Sequence, residues 1–505
     1  MAGLSKSRYT QFRLCDKSLW LDVFKPEEAL IDDAAKDRFA AGIEIGNMAK
    51  GLLGESEDMT VNRPDGSLDY IRMIEKTADA VARGVENICE AAFSIDGNYC
   101  AVDILHKTQE GYAIYEVKSS PQEDKEIYAW DVAYQKYVLT RCGLNVAGTF
   151  LVCINNEYVR QGEIDLRLLF EVHDISDAVD KESARVELNI RLAKTVLEGN
   201  EPDTGLSMGC HKPYHCAFWK YCTKSLPKPS VFNVNHLIFK KKLALHCAGR
   251  DSFESIADYN LNTVQRIQVE CTLNKCHHIN RDGLKSFLKS LWYPLYYLDF
   301  ESIRPIVPLY DGTHPYQQLT TQYSLHYQES EGGTIFHREY LAPSVGNPLR
   351  PTAERLCEDI PADACIIVYN KTFECGRLKE MANMFPDLAN HLMAIHDNVR
   401  DLYAPFKSGY YYVPAMGGSF SIKSVLPALF PNDPDLDYHA LDEICQNGGM
   451  AMNLFPQLQK MSPEDEARTR KALLNYCHLD TLAMVKVLEK LYDAVRESSS
   501  QSVSS

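Results

Sequence analysis

Apolar and polar positions first fall into a sharp pattern between residues 99 and 139. Ala101-Val102-Asp103-Ile104-Leu105 and Tyr112-Ala113-Ile114-Tyr115-Glu116-Val117-Lys118 are β-branched and aromatic runs on either side of a polar turn, Lys107 to Gly111, and this predicts an antiparallel hairpin. Asp131 to Leu139 reads as a helix packed back onto it. Residues 8–24 and 32–53 also read as helices, the second with Gly42 and Gly46 four apart and therefore one smooth face. Cys89 to Phe93 opens a sheet, Val146 to Asn155 is strand-like, and Ile175 to Leu197 is a helix with alternating charge on its outer face. From Ser225 to Trp292 the pattern turns helical, with helices expected over 257–274 and 283–291. Strands follow at 296–302 and 364–370, then a helix opening at Lys371 and another carrying 474–480. The Ser-dominated end from Glu497 predicts disorder.

Composition narrows the setting. A chain of 505 residues exceeds one ordinary core, so two or three domains are expected. No apolar run is long enough to span a bilayer and the N-terminus lacks a signal-peptide core, which predicts a cytoplasmic protein with no membrane partner. Sixteen cysteines in that compartment argue for buried thiols and a metal or cluster site, not a disulfide framework.

The hairpin carries the first candidate chemistry. Glu116 and Lys118 are two apart on one strand and share a face, and the hairpin brings Asp103 beside Glu116. Paired carboxylates repel unless a cation lies between them, and oxygen ligands suit magnesium or manganese. A lysine there can orient water or stabilise charge growing on a phosphate. Asp-x(n)-Glu-x-Lys followed by a Gln-bearing helix resembles the RecB-like branch of the PD-(D/E)XK nucleases. The resemblance implies Asp103 and Glu116 as metal ligands, Lys118 as the catalytic lysine, and Gln135 and Tyr137 as supports. That family often has a ligating histidine on its first helix; Gly42 to Asn47 has none, and Glu44 or Glu90 could take its place.

Cys210, Cys216 and Cys222 stand with five residues between neighbours in a Pro- and aromatic-rich turn, and Cys15 precedes the hairpin. One cysteine before the core and three after it resembles the iron-sulfur RecB-like nucleases, although the spacing of the three is wider than usual there. The resemblance implies a [4Fe-4S] cluster on Cys15, Cys210, Cys216 and Cys222 that staples the domain ends together. Zinc is the alternative, with His211 and His215 as spare ligands. Cys271, Cys276, His277 and His278 read as ordinary core and surface residues.

A second constellation opens at Tyr296-Tyr297-Leu298-Asp299-Phe300-Glu301, where a strand puts Asp299 and Glu301 on one face, as two-metal nucleases require. Glu374 follows the 364–370 strand, and Tyr476 and Asp480 are four apart on one helix face. Together these resemble the DEDD 3′–5′ exonucleases on an RNase H-like fold, in their tyrosine variant. The resemblance implies Asp299, Glu301 and Asp480 as metal ligands and Tyr476 as the group that positions the attacking water. Glu374 stands where the family has aspartate, Asp401 could be a further acid, and Ser419 to Leu426 resembles a segment packed beneath the site in RNase D-like enzymes. Pro305 to His326 resembles an uncharacterised bacterial family that joins the two domain types.

The expected fold is therefore α/β: a PD-(D/E)XK restriction-endonuclease-like domain with the cluster cysteines over 1–228, a helical connector over 229–292, an RNase H-like exonuclease domain over 293–496, and a disordered tail over 497–505. The expected activity is metal-dependent hydrolysis of DNA, single-stranded or with free ends, in repair or defence. A net charge of −16 is the reverse of the usual nucleic-acid footprint, so a local basic groove is expected, with Lys220, Lys224, Lys228 and Lys240 to Lys242 as candidates. The competing expectations are a nucleic-acid-binding scaffold with one or both sites inactive, and RNA 3′-end trimming.

Overall fold

The computed structural model describes residues 3–119 and 125–496, so the serine-rich tail lies outside the described residues. The protein is mixed α/β and divides into two compact units: Met1–Ser225 with Pro305–Gln317, and Leu226–Arg304 with Gln318–Ser505. Among the described residues no helix is long and apolar enough to cross a membrane.

The first unit is built on one sheet. Its strands are β1 (Leu4–Ser5), β2 (Glu57–Asp58), β3 (Asn87–Ile95), β4 (Asn98–Lys107), β5 (Tyr112–Lys118), β6 (Val146–Ile154) and β7 (Phe170–Asp174). They run in the order β2-β3-β4-β5-β6-β7, with β1 parallel to β4. Along β4, Cys100, Val102 and Ile104 are buried and alternate with more open residues, the two-residue period of a strand with one face in a core. The β4–β5 hairpin turns where expected. A Cβ on Gly111, at φ 148°, would meet the Asn145 carbonyl oxygen well inside contact distance, so only glycine fits.

Helices α1 (Lys6–Leu14), α2 (Asp16–Phe24), α3 (Asp33–Ala49), α4 (Tyr70–Arg83), α5 (Lys125–Arg141), α6 (Leu166–Leu169), α7 (Ser176–Glu198) and α8 (Trp219–Cys222) complete the unit. Tyr134 of α5 is fully buried, stacks on Tyr9 of α1 with ring centroids 4.8 Å apart, and donates its hydroxyl to the Leu4 carbonyl. That anchor fixes β1 and α1 against the hairpin. Residues 8–24, expected as one helical segment, are two helices broken at Cys15, whose extended backbone (φ −166°) ends α1 and caps the start of α2. Pro305–Gln317 belongs to this unit: Val307 is buried with Ile45 and Val152, and Arg160 Nη1 donates to the Pro308 and Leu309 carbonyls (3.0 and 2.8 Å).

The second unit contains α9 (Phe239–Cys247), α10 (Thr263–Asn274), β8 (His278–Ile279), α11 (Arg281–Leu288), β9 (Leu295–Ile303), β10 (Leu319–Gln328), β11 (Phe336–Leu341), α12 (Leu349–Asp359), β12 (Cys365–Val368), α13 (Lys371–Met384), α14 (Ala389–Asp397), β13 (Val399–Asp401), α15 (Ala404–Lys407), β14 (Tyr411–Tyr412), α16 (Ile422–Leu429), α17 (Gly448–Leu454) and α18 (Pro463–Arg496). Its main sheet has the order β11-β10-β9-β12-β13, with β9 antiparallel to β10 and parallel to β12. Both faces of β9 are covered, which is why Leu295, Tyr297 and Leu298 are all buried.

Two expectations about this region need correction. Residues 229–292 do not form a separate connector. Leu284 and Leu288 of α11 are buried in the same core as Leu479, Ala483 and Leu488 of α18, and β8 pairs with β14. The helix expected from 257 starts at Thr263, because Asn262 caps it by accepting from the Gln265 amide while Gln265 caps back.

Candidate functional site

In the second unit, β9 and α18 bring together what the sequence separates by nearly two hundred positions. The carboxylate oxygens of Asp299, Glu301 and Asp480 all lie within 4.8 Å of one another. They line a cavity of about 620 Å³ together with Tyr476, Lys423, Tyr369, Asn370 and His236. The strand period aims Asp299 and Glu301 the same way, and the helix period puts Tyr476 and Asp480 on the side facing them. Lys423 Nζ donates to the Tyr476 hydroxyl (2.8 Å), Tyr438 donates to Asp480 Oδ1 (2.5 Å), and the Cys477 thiol reaches Asp299 Oδ2 (3.7 Å).

The electrostatics of this trio are unbalanced. Burial, followed by Asp480 and its acidic neighbours, drives Asp299 and Glu301 well above the usual carboxylate range. Burial also raises Asp480, against the pull of Tyr438, Lys423 and Tyr476. Three acids, one buried and two half-buried, share the field of one lysine, an arrangement that favours either protonation or a bound cation. Glu374, in the first turn of α13, is close enough to raise both Asp299 and Glu301, but it is not part of the tight trio. Its Oε2 is buried without a hydrogen-bond partner, and burial lifts its pKa to about 8. An all-oxygen set of three converging carboxylates fits a hard divalent cation. Asp401 is committed elsewhere: its Oδ1 accepts from the Asn370 and Tyr403 amides (2.9 and 3.0 Å), which makes it a backbone clamp.

Glu374 supplies a pH test. Its folded-state pKa stands above its ordinary 4.5, so the folded state holds that proton more tightly and stability falls as pH rises from about 4.5 to about 8. Metal-free Glu374→Gln is expected to gain on the order of a few kcal/mol over the parent at pH 8 and almost nothing at pH 4.5. Denaturant melts at the two pH values check this; an equal change at both would refute it.

In the first unit the hairpin brings Asp103, Glu116 and Lys118 together. The β4–β5 register, Ile104 with Tyr115, sets Asp103 opposite Glu116 at the next position, and Asp103 Oδ2 accepts from the Val117 amide (2.7 Å). Lys118 Nζ donates to Glu116 Oε1 (2.7 Å) and Asp131 Oδ2 (2.9 Å), and Gln135 Nε2 donates to Glu116 Oε2 (2.7 Å). Lys6, at the start of α1, also donates to both Glu116 oxygens (3.0 and 3.2 Å). Burial would raise Glu116, but Lys118, Lys6 and Gln135 outweigh it and hold the group at about 2. Asp103 goes the other way, to about 7, through burial and the negative Glu116 beside it.

Tyr137 is a correction. It lies two positions beyond Gln135, roughly 200° around the helix, and packs on the apolar core. Lys6 and Asp131 are the residues missed. Asp131 had a signal, being four before Gln135 on the same helix face; Lys6 had none, because only the pairing of β1 with β4 brings it in. Of the two proposed substitutes for the absent histidine, Glu44 is exposed on α3. Glu90 lies between Cys89, paired with Ile104, and Ala91, paired with Val102, which sets it opposite Asp103. Burial raises Glu90, and both Lys6 and Glu116 act on it. In the second unit the missed residues are Tyr438 and Lys423, the latter inside the Ser419–Leu426 stretch.

The four expected cluster cysteines, Cys15, Cys210, Cys216 and Cys222, line one cavity of about 170 Å³ with His215 and Tyr214. Burial raises Cys15, Cys216 and Cys222, the last to about 11, and the other thiols of the set add to each shift. Among the described residues they are not a group with ligand atoms all within 4.8 Å of one another. Of the lysines expected to form a groove, Lys242 is half-buried and donates to the Phe232 carbonyl (2.8 Å), a structural bond. Lys224 sits over the Tyr221 ring, 3.9 Å from its centroid.

The fold and sites thus define a mixed α/β protein with two clusters of buried and half-buried carboxylates, one with Lys6 and Lys118 bonded to Glu116 and one with Lys423 bonded to the neighbouring Tyr476, and a separate thiol-lined cavity. Residues 296–421 match a family described as "Domain of unknown function (DUF2779)". The chain is 27% identical over 219 residues to the "Uncharacterized protein MG366 homolog" of Mycoplasma pneumoniae, covering 39% of this chain and 33% of that protein. It is 24% identical over 220 residues to the Mycoplasma genitalium protein of that name (40% and 32%) and 26% identical over 230 residues to "Uncharacterized protein UU173" of Ureaplasma parvum (40% and 32%). The chain spans about a third of the length of these relatives. No solved structure matches.

Proposed function

We propose that the protein is a cytoplasmic, divalent-metal-dependent nuclease that hydrolyses phosphodiester bonds of DNA, single-stranded or with free ends, using a RecB-like PD-(D/E)XK site in the first unit and a DEDD-type site in the second. The observation that carries this reading is the convergence of Asp299, Glu301 and Asp480 on one side of an open cavity with Tyr476 beside them. In the second unit Asp299, Glu301 and Asp480 would hold magnesium or manganese, with Glu374 adjacent; in the first, Asp103 and Glu116 would. The metal would supply charge neutralisation on the phosphate and an acidified water. Tyr476, held by Lys423, orients water at the cavity wall. Lys118, tethered between Glu116 and Asp131, presents a fixed positive charge toward a phosphate. The four cysteines would hold a [4Fe-4S] cluster that joins α2 and α8 to the rest of the first unit.

The test is digestion of an end-labelled single strand with magnesium or manganese by the parent, Lys118→Ala, Asp299→Ala and the double variant. Each single change is expected to remove one separable activity. A double variant as fast as the parent would overturn the reading. A second reading, a first site that binds nucleic acid without cutting it, is favoured by Glu116 having both oxygens engaged by lysines. Calorimetric titration with magnesium separates the two, because an inactive site of this kind takes up no ion.

A further inference from the structure

A second convergence in the same unit plays no part in that chemistry. His326 on β10 and His337 on β11 are directly paired across the strands, and Ser324 pairs with Glu339 one step along the same face. Helix α18 packs over that face and delivers His478 and Thr481. The three imidazole rings stand with centroids 4.3 to 4.8 Å apart, and a ligand nitrogen from each lies within 4.8 Å of the other two.

The nitrogen positions resemble a coordination shell more than a stack. His337 Nε2 and His478 Nδ1 are 3.1 Å apart, close to the edge of roughly 3.4 Å that two nitrogens span on a tetrahedral zinc with bonds of about 2.0–2.1 Å. His326 Nδ1 is bonded to Thr481 Oγ1 (2.8 Å), the outer contact that fixes tautomer and ring angle and leaves Nε2 for a metal. Ser324 Oγ ties the group together, 2.7 Å from Thr481 Oγ1 and 3.0 Å from His337 Nε2. Glu339 Oε2 is 3.9 Å from His337 Nε2, within reach of a fourth position by a small side-chain rotation.

We infer that His326, His337 and His478 form a binding site for zinc or a similar imidazole-preferring divalent ion, with Glu339 or water as fourth ligand, which pins the β10–β11 edge hairpin to α18. Its ligands differ in kind from those of the acidic trio: imidazole selects zinc-class metals and carboxylates select magnesium or manganese. Since α18 also carries Tyr476 and Asp480, the pinned hairpin would hold that helix in register with β9.

The experiment uses the full-length protein, stripped with chelator and reloaded with zinc alone, and compares the parent with His337→Gln, His478→Gln and Asp299→Asn. Elemental analysis is expected to find one zinc per chain fewer in each histidine variant and no loss in Asp299→Asn. Cobalt loading reads the same site by colour: the parent should show a visible band, beyond any thiolate absorption, that both histidine variants lack. His337 is partly exposed on an edge strand, so its variant keeps the test open should His478→Gln fail to fold. Zinc content equal to the parent in His337→Gln, or zinc lost in Asp299→Asn and kept in His337→Gln, would overturn the assignment. Neither readout uses DNA cleavage, so the site stands or falls apart from the proposed nuclease activity.

Discussion

Asp480→Asn is expected to lower the proposed metal-dependent hydrolysis by the second unit about a thousandfold, about 4 kcal/mol of transition-state stabilisation, and at the same time to make the metal-free protein more stable. Asparagine keeps an oxygen for the Tyr438 hydroxyl and turns an amide toward Asp299 and Glu301, converting a repulsive neighbour into a donor. The sign follows from linkage. Asp299, Glu301 and Asp480 all hold protons more tightly in the fold than in the unfolded chain, so metal-free stability falls as pH rises above the ordinary carboxylate values of 3.8 and 4.5. Removing one charge flattens that slope. Magnesium should raise the melting temperature of the parent's second unit and leave that of the second unit in Asp480→Asn almost unmoved. Loss of activity together with a lower metal-free melting temperature would mean Asp480 is a structural group, not an uncompensated ligand.

Cys216→Ser carries the other large effect. It is expected to abolish the brown colour of freshly purified protein and to unfold the first unit, leaving the second unit's transition in place. Cys15 sits at the break between α1 and α2, and the other three thiols come from the far end of the unit, so a cluster here closes a loop of about two hundred residues. Closing a loop that long by a cross-link contributes on the order of 4–5 kcal/mol in the chain-entropy picture, comparable to the whole stability of many domains. A colourless parent that loses one zinc per chain in Cys216→Ser would replace the cluster by that ion. A brown Cys216→Ser protein would remove the cysteine from the ligand set.

What the sequence made legible was whatever repeats at short range. The two-residue period around Asp103 and Glu116, the strand holding Asp299 and Glu301, and the four-residue spacing of Tyr476 and Asp480 are local patterns, and each came out as read. Tyr137, implied as a support by the family resemblance, packs on the apolar core instead, because two positions along the helix from Gln135 the side chain turns away from the site. Lys6, Lys423 and Tyr438 were invisible for the opposite reason: each reaches its carboxylate or hydroxyl across long sequence distance through tertiary packing. Residues 229–292 looked like a connector because their helices are amphipathic, and amphipathicity does not say which core the apolar stripe joins. The histidine trio went unremarked since its members lie on three elements and none has a ligand-spaced partner on its own.

The excursion of Pro305–Gln317 into the first unit has a practical and a biosynthetic side. Cutting the gene after residue 225 would strip Val307 from the core and leave Arg160 without its carbonyl acceptors, so a fragment of that kind is a poor proxy for the intact molecule. During translation, the core of the first unit must wait for its final piece until residue 317 has left the ribosome, by which time β9 of the second unit has already been made. The two halves therefore mature as interleaved rather than successive folding events.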